Sequence, residues 1–156
     1  MRGGFSALAG FFFSLIALSD YFIPNETEAA LLAGMPVENV EQAKAAAKEL
    51  QRRGVRNVIL TLGAQGALIK NHTLTQHVPA INAGPVVETT GAGDAFNGGL
   101  ATALAEGRNL IESTKFACAV AGISVTRPGT APSMPHRSEI DALLHRDTPA
   151  PKQPVS

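Results

Sequence analysis

The chain has 156 residues, about the length of one ordinary domain, and its 45% hydrophobic and 17% charged content excludes an intrinsically disordered chain. Thirteen basic residues balance thirteen acidic ones, so the chain has no excess of positive charge with which to bind nucleic acid or an anionic membrane. We therefore expect no nucleic-acid partner.

The first twenty residues differ in composition from the rest of the chain. Six of the eight Phe and Tyr residues lie within the first 22 positions, and no charge occurs between Arg2 and Asp20. The apolar run from Phe5 to Leu18 has the length of a signal-peptide core and is shorter than the ~20 residues of a spanning helix. Three interpretations stay open: a signal or membrane-anchor segment, a buried strand or helix, or a head foreign to the domain behind it.

After Asp20 the pattern becomes regular. Phe22 and Ile23 end an apolar strand, and Asn25 is predicted to cap a short helix whose apolar face carries Leu31 and Leu32. Helical spacing predicts a second helix over residues 37–53, and β-branched residues predict a core strand over 57–62. Two further short strands are predicted at 67–70 and 73–78.

The second half of the chain reads as mostly helical. A glycine-rich stretch at 89–94 leads into a helix at 95–106, a second helix covers 110–125, and Ser138 is predicted to cap a last helix that ends near His145. The tail at 147–156 contains three Pro and is predicted to be disordered. Strands alternating with helices predict a three-layer α/β fold around a mainly parallel sheet.

The segment from Glu88 to Gly99 carries the chemistry. Glycines at 91 and 93 free the backbone, and a helix that begins behind them presents unpaired N–H groups to an anion. The negative charge of Asp94 would disfavour a phosphate that stays bound at this helix start. The same carboxylate could act as a base that takes a proton from an attacking hydroxyl. The alternative is that Asp94 only caps the helix. The segment lacks the Lys-Ser/Thr of a Walker loop and the spacing of a dinucleotide fingerprint.

These residues resemble a known family. Residues 89–99, Thr-Thr-Gly-Ala-Gly-Asp-Ala-Phe-Asn-Gly-Gly, are similar to the C-terminal signature of the ribokinase, or PfkB-type, carbohydrate kinases. Residues 24–28 resemble the family's Asn-x-x-Glu segment, and residues 61–66 its nucleotide-binding strand and loop. Residues 125–135, followed by Glu139 and Ile140, are most similar to the ribokinase branch. Four motifs in family order identify the chain as a member, from about Tyr21 to Leu144.

The resemblance implies a ribokinase-like fold that is incomplete. In the family, the lid and the sugar-binding residues precede the Asn-x-x-Glu segment, and nothing before Asn25 resembles them. We therefore expect an apolar head of uncertain origin at 1–20, a ribokinase-like C-terminal kinase domain at 21–146 and a disordered tail at 147–156.

The resemblance also implies roles for individual residues. Asp94 would be the catalytic base and would bind the sugar hydroxyl, while Gly91, Ala92 and Gly93 would form an anion hole with their N–H groups. Glu28 would help to hold Mg²⁺. The implied nucleotide-binding residues are Asn25, Thr61, Leu62, Gly63, Ala64, Gln65, Gly66, Gly93, Asp94 and Cys118. Without the resemblance, Asn25 and Glu28 are interpreted as the capped start of a helix. Cys118 is then interpreted as a small buried residue of a helix.

A monovalent cation, K⁺, is implied beside the anion hole, held largely by carbonyl oxygens. The matching positions are Glu88, Thr90, Ser124, Arg127, Gly129 and Ser133. The family usually has Asp at the position of Glu88, so the extra methylene puts potassium activation in doubt.

The implied function is transfer of the ATP γ-phosphate to a sugar hydroxyl, with D-ribose as the first substrate and little or no activity for this chain alone. Fructose, keto-deoxy-gluconate and nucleosides stay open as other acceptors, and a non-catalytic nucleotide-binding remnant stays open as another function. One cysteine and the family imply a cytoplasmic protein. An open sheet edge leaves a homodimer open, and a membrane-anchored form is the weakest alternative.

Overall fold

The part of the chain before the Pro79–Ala80 bond forms one of two units. The structure is a computed structural model that describes residue 10 and residues 12–147. After a short helical segment at residues 12–16, the elements of this first unit are helices α1 (Glu26–Ala33) and α2 (Val40–Arg52), and strands β1 (Val58–Thr61), β2 (Ala67–Lys70) and β3 (Thr75–Val78).

The three strands pair antiparallel in the order β1-β2-β3, whereas the sequence predicts a mainly parallel sheet. The connections at 62–66 and 71–74 are too short for a parallel crossover, so they permit only antiparallel neighbours. Parallel pairing occurs where α1 and α2 supply a crossover: Phe22 bridges Val58, and Asn25 bridges Thr61. The predicted parallel pairing is therefore limited, among the described residues, to the segment at 22–25 and β1.

Both faces of this small sheet are shielded from water. Val58, Leu60 and Leu68 join the core cluster that also contains residues of α1 and α2. Ile59 and Ile69 point to the opposite face because side chains alternate along a strand, and they are fully buried as well. Within the first unit, helices α1 and α2 cover one face of the sheet, which is the packing of a helix layer on a sheet that an α/β fold requires.

Helix α1 has the predicted cap but not the predicted apolar face. Asn25 Oδ1 accepts a hydrogen bond from the Glu28 N–H at 2.9 Å, and Gly34 ends the helix in the left-handed conformation. Ala29 and Ala33 face the core, whereas Leu31 is 73% exposed and Leu32 is half-buried. The two leucines could not both face the core, because the positions four residues apart, 29 and 33, define the buried side of this two-turn helix.

The described part of the N-terminal head belongs to the same core. Phe13 and Ile16 are buried in the cluster with α1 and α2, and the Arg53 guanidinium lies 5.2 Å from the centre of the Phe13 ring. Among the three interpretations of the head, these residues match a buried helix. The rest of the predicted apolar run, residues 5–9 and 11, lies outside the described residues. Within the described residues, no helix is long and apolar enough to cross a membrane.

The second unit begins at Ala80 and its regular elements are helical. Its elements are α3 (Ala92–Ala105), α4 (Leu110–Ser124) and α5 (Arg137–Asp147). Helices α3 and α4 pack closely because the contact is lined by small residues: a Cβ on Gly99 would lie 2.9 Å from Val120 Cγ2. Helix α5 begins one residue before Ser138, so the predicted serine cap is wrong. His136 precedes the helix, and the carboxylate of Glu139 in the first turn accepts the His136 N–H at 2.8 Å. The predicted disordered tail beyond Asp147 lies outside the described residues.

Candidate active site

A glycine turn sets the start of α3. Gly91 has a φ of 82°, a conformation that favours glycine, and a Cβ there would lie 3.0 Å from Thr130 Cγ2. Ala92 N–H donates to Thr89 O at 3.1 Å, and Ala95 N–H donates to Gly91 O at 2.9 Å, which closes the turn and begins the helix. The position therefore needs glycine for both its conformation and its space.

Three backbone N–H groups at this turn have no acceptor within the described residues: those of Gly91, Gly93 and Asp94. The N–H of Ala92, expected in the anion hole, is instead used inside the turn by Thr89 O. Unpaired N–H groups at a helix start carry the positive end of the helix dipole, equivalent to about half a charge, and favour an anion. The turn therefore offers an anion site built by Gly91 and Gly93, with the Asp94 N–H added to the predicted set.

The side chain of Asp94 is exposed at the third residue of α3. Its carboxylate makes no hydrogen bond and no ion pair with another described residue. The N-cap position is occupied by Gly91, which has no side chain to cap the helix. The interpretation of Asp94 as a helix cap fails, because a capping residue precedes the helix and accepts from its first turn. An unpaired carboxylate beside unpaired N–H groups is the arrangement that a base next to an anion hole requires.

A second loop, residues 125–136, is fastened to this turn. Glu88 Oε2 accepts the Gly129 N–H at 2.8 Å, and the N–H groups of Val87 and Glu88 both donate to Val125 O. The Arg127 guanidinium forms an ion pair with Glu139, and its hydrogen bonds lower the pKa of that carboxyl. Arg127 is one of the predicted cation positions, and its ion pair with Glu139 was not anticipated because the two residues are 12 positions apart.

The potential cation site lies on these two loops. The carbonyl oxygens of Thr90, Gly129 and Ser133 accept no hydrogen bond from described residues, and such oxygens are the ligands that K⁺ takes in proteins. Ser124 O is already used by the Arg127 N–H, and the Glu88 carboxylate is used by Gly129. These three carbonyl oxygens are available as ligands, whereas the Glu88 carboxylate holds the loop through the Gly129 N–H, and the monovalent-cation site stays a prediction.

The residues of the first unit that are predicted to bind a nucleotide lie together at the end of β1. Asn25 bridges Thr61, so Asn25 and the turn at 61–66 lie side by side. The turn is a short 3₁₀ helix at Gly63–Gln65, in which Leu62 N–H donates to Gly66 O at 2.8 Å. Gly63 and Gly66 both have positive φ, which lets the chain reverse tightly. Gly63, Ala64 and Gln65 are exposed and free to meet a ligand, whereas Leu62 and Gly66 are buried.

Asn25 and Glu28 are used in part by their own helix. They form a reciprocal capping box: each side chain accepts the backbone N–H of the other, at 2.9 and 3.0 Å. The amide N–H₂ of Asn25 and the Oε1 of Glu28 have no partner among the described residues. Those two groups are the ones available to a phosphate and to a hydrated metal ion. The described residues contain no cluster of three His, Cys, Asp or Glu, so a Mg²⁺ here would depend on phosphate oxygens and water as well.

Cys118 lies in the middle of α4 and is buried. Burial raises the pKa of its thiol to about 12.

A cavity of about 310 Å³ elsewhere in the second unit is lined by Arg127 and Glu139 but by none of residues 88–94. Gly93 and Asp94 at the glycine turn are exposed, whereas Gly91 and Ala92 are half-buried.

Comparison with known proteins places these motifs in one family. The family described as pfkB family carbohydrate kinase matches residues 12–137. The match begins nine residues before Tyr21, where the motif resemblance begins, so it includes the helical segment that packs into the core.

Individual relatives match the same region. The ribokinase of Haemophilus influenzae is 38% identical over 132 residues, which cover 84% of this chain and 43% of that protein. The deoxyribokinase of Salmonella typhimurium is 39% identical over 125 residues, covering 80% of this chain and 40% of that protein. The structure of Arabidopsis thaliana ribokinase complexed with ribose and ATP superposes with a TM-score of 0.80 at 38% identity, covering 85% of this chain and 43% of that one.

The chain thus spans less than half the length of these relatives and has an incomplete ribokinase-like fold. The family match covers most of the sequence, and the glycine turn, the Asn25 segment and the 61–66 turn all fall inside it. The chain therefore belongs to the pfkB family of carbohydrate kinases.

Proposed function

We propose that this chain carries the phosphoryl-transfer side of an ATP-dependent sugar kinase. The observation that carries the proposal is the unpaired Asp94 carboxylate beside the unpaired N–H groups of Gly91 and Gly93. D-ribose is the first acceptor, because the motifs at 125–140 are most similar to ribokinases and ribokinases are among the relatives. A relative named deoxyribokinase, of similar identity, makes deoxyribose the second acceptor.

In the proposed step, Asp94 accepts the proton of the sugar hydroxyl as its oxygen attacks the γ-phosphorus of ATP. The new O–P bond forms while the bond from the γ-phosphorus to the bridging oxygen breaks, and that oxygen leaves with ADP. The N–H groups of Gly91 and Gly93 donate to the oxygens on which charge increases. General-base catalysis of this kind contributes about 10²–10⁴-fold, and oriented donors add a comparable factor.

The first unit supplies the nucleotide contacts in this proposal. The free amide of Asn25 donates to a phosphate oxygen, and the exposed residues of the 61–66 turn line the nucleotide. Glu28 Oε1 would accept hydrogen bonds from the waters of a bound Mg²⁺, which keeps several waters in most protein sites. Such an ion would supply positive charge that offsets the negative charge of the ATP phosphates. Cys118 is a packing residue of α4 in this account, because its thiol stays protonated and buried.

For the 156-residue polypeptide alone, we propose weak ATP binding and little or no sugar kinase activity. Phosphoryl transfer needs a positioned acceptor in a site that excludes water. Asp94 is exposed here, and more than half of the length of each relative has no counterpart. The same observations favour the second candidate, a nucleotide-binding remnant without turnover.

Titration calorimetry with Mg·ATP and an ADP-release assay with D-ribose test this proposal together. We expect ATP binding that Asn25→Ala weakens by about tenfold or more, because one hydrogen bond to a charged group contributes about 1.5–3 kcal/mol, and we expect no ribose-dependent ADP. Absence of ATP binding would overturn the nucleotide role. Ribose-dependent turnover at the rate of a complete kinase, abolished by Asp94→Asn, would overturn the claim that the polypeptide alone is inactive.

A further inference from the structure

The carboxylate of Glu139 holds the loop at 125–136 near its start and at its end. Its two oxygens accept hydrogen bonds from the Arg127 guanidinium, and Oε2 also accepts the His136 N–H at 2.8 Å. Both charged side chains are about two-thirds buried, with exposed fractions of 34% for Arg127 and 36% for Glu139. A guanidinium that donates twice to one carboxylate fixes direction as well as distance. The first turn of α5 thus fastens both parts of the loop.

The middle of the same loop lies against the glycine turn. The Gly129 N–H donates to Glu88 Oε2 at 2.8 Å, three residues before the turn. A Cβ on Gly91 would lie 3.0 Å from Thr130 Cγ2, so the Thr130 side chain packs directly on the turn. The loop and the turn are therefore joined by one hydrogen bond and one close packing contact.

The loop is braced from inside between these contacts. Ser133 is buried, and its hydroxyl donates to Thr130 O at 2.6 Å. The Met134 N–H donates to Ala131 O at 3.3 Å. A loop that is closed at its ends and bonded within itself has few conformations available to it. A displacement of its fastened ends therefore reaches Thr130 and the glycine turn.

We propose that Glu139 is a positioning residue for the anion site: it closes the loop at 125–136 and so keeps Thr130 against the glycine turn that carries the unpaired N–H groups. Within the described residues, Glu139 bonds to Arg127 and His136 and not to the turn, so it acts through the loop. The inference rests on the proposed function only in taking the turn as the site of the transferred phosphate. The link from α5 to the turn does not depend on that function.

The experiment compares Glu139→Gln with Asp141→Asn in the full 156-residue chain. Each change keeps the shape of the side chain and removes its charge. Asp141 is the matched control, because it lies on the same helix, is 43% exposed and pairs with Arg137 at 3.0 Å, outside the loop. Nuclear magnetic resonance measures hydrogen exchange at the amides of Ala92 and Gly129, both of which are hydrogen-bonded in the structure.

We expect Glu139→Gln to raise the exchange rates of Ala92 and Gly129 by about threefold or more, and Asp141→Asn by less than about 1.5-fold. Amides of α4 should keep their exchange rates in both variants, which separates a local effect from general destabilisation. Arg127→Gln should act like Glu139→Gln, and the double variant should add little, because both residues act through one contact. Equal exchange rates in Glu139→Gln and Asp141→Asn, or an increase that extends evenly over α4, would overturn the proposal.

Titration with Mg·ATP, followed at the Gly93 amide signal, tests the link to the proposed function. We expect Glu139→Gln to raise the dissociation constant by about threefold or more and Asp141→Asn to change it by less than about 1.5-fold. Equal dissociation constants for the unchanged chain and Glu139→Gln would overturn the positioning role at the anion site. If the unchanged chain does not bind Mg·ATP but Glu139→Gln still raises exchange at the turn, the link from α5 stands and the proposed function fails.

Discussion

Replacing Gly91 with alanine tests whether the anion turn depends on its glycine. The φ of 82° puts an alanine in the left-handed region, which costs roughly 1–2 kcal/mol. The added Cβ would also lie 3.0 Å from Thr130 Cγ2 and 3.3 Å from Thr130 Cβ, and overpacking of this kind costs about 1–3 kcal/mol where neighbours cannot move. Thr130 lies on an exposed loop and can yield in part, so we expect a loss of about 2–4 kcal/mol in unfolding free energy.

Urea unfolding followed by far-ultraviolet circular dichroism measures this loss. Gly98→Ala is the matched control, because a Cβ on Gly98 in the same helix meets nothing within 4 Å. That control should gain up to about 1 kcal/mol from the higher helix propensity of alanine. Hydrogen exchange should locate the change at residues 88–95. If the Gly91→Ala chain is as stable as the Gly98→Ala chain, the turn does not depend on glycine at position 91.

Other predictions concern packing, the buried thiol and the cation site. Gly99→Ala should destabilise the chain by about 1–3 kcal/mol in the same urea assay, because its Cβ would meet Val120 Cγ2 at 2.9 Å, and an unchanged midpoint would contradict this packing. The Cys118 thiol, with a pKa of about 12, should react slowly with a disulfide reagent at pH 8 when folded and rapidly in urea. The pKa of the thiol is about 8.5 in the unfolded chain and about 12 in the folded chain. The contribution of the buried thiol to the free energy of unfolding is therefore complete below about pH 8.5 and is lost as the pH rises from about 8.5 to about 12. Glu88 holds the Gly129 N–H and is therefore not available to a bound ion. The activity of a complete kinase containing this segment should thus increase only weakly with K⁺, and Glu88→Asp should strengthen that activation. Equal K⁺ activation of the two kinases would contradict this role of Glu88.

Local signals predicted the start of α1 but not the start of every helix. Asn25 caps α1 as expected, because a cap residue acts within one turn of the helix end. Helices α2 and α3 begin at Val40 and Ala92, each three residues from the predicted start. Strand β2 has the predicted bounds, while β3 begins two residues late because Asn71 Oδ1 accepts the N–H groups of Thr73 and Leu74 and extends the turn. Interactions within about four residues are visible in a sequence, so these elements could be anticipated.

Non-local features were harder to foresee. The direction of strand pairing depends on which connection joins which strands, and hydrophobic spacing does not contain that information. The hydrogen bond from Gly129 to Glu88 joins residues 41 positions apart, and the exposure of Leu31 depends on how α1 lies on the core. The residue pattern at 88–99 indicated an anion site and a possible base, and the family resemblance implied these roles for Gly91 and Asp94. The structure adds that Ala92 N–H is used within the turn and that the Asp94 N–H is free among the described residues.

The central claim is that Asp94 is the base of a phosphoryl-transfer site. It is tested most directly in a chimera in which residues 12–137 of this chain replace the matching part of Arabidopsis thaliana ribokinase, which gives the site a sugar-binding half. We expect Asp94→Asn to lower kcat for ribose phosphorylation by about 10²–10⁴-fold while the KM for ATP changes less than about threefold. A kcat that falls less than about tenfold in a folded chimera would contradict the account.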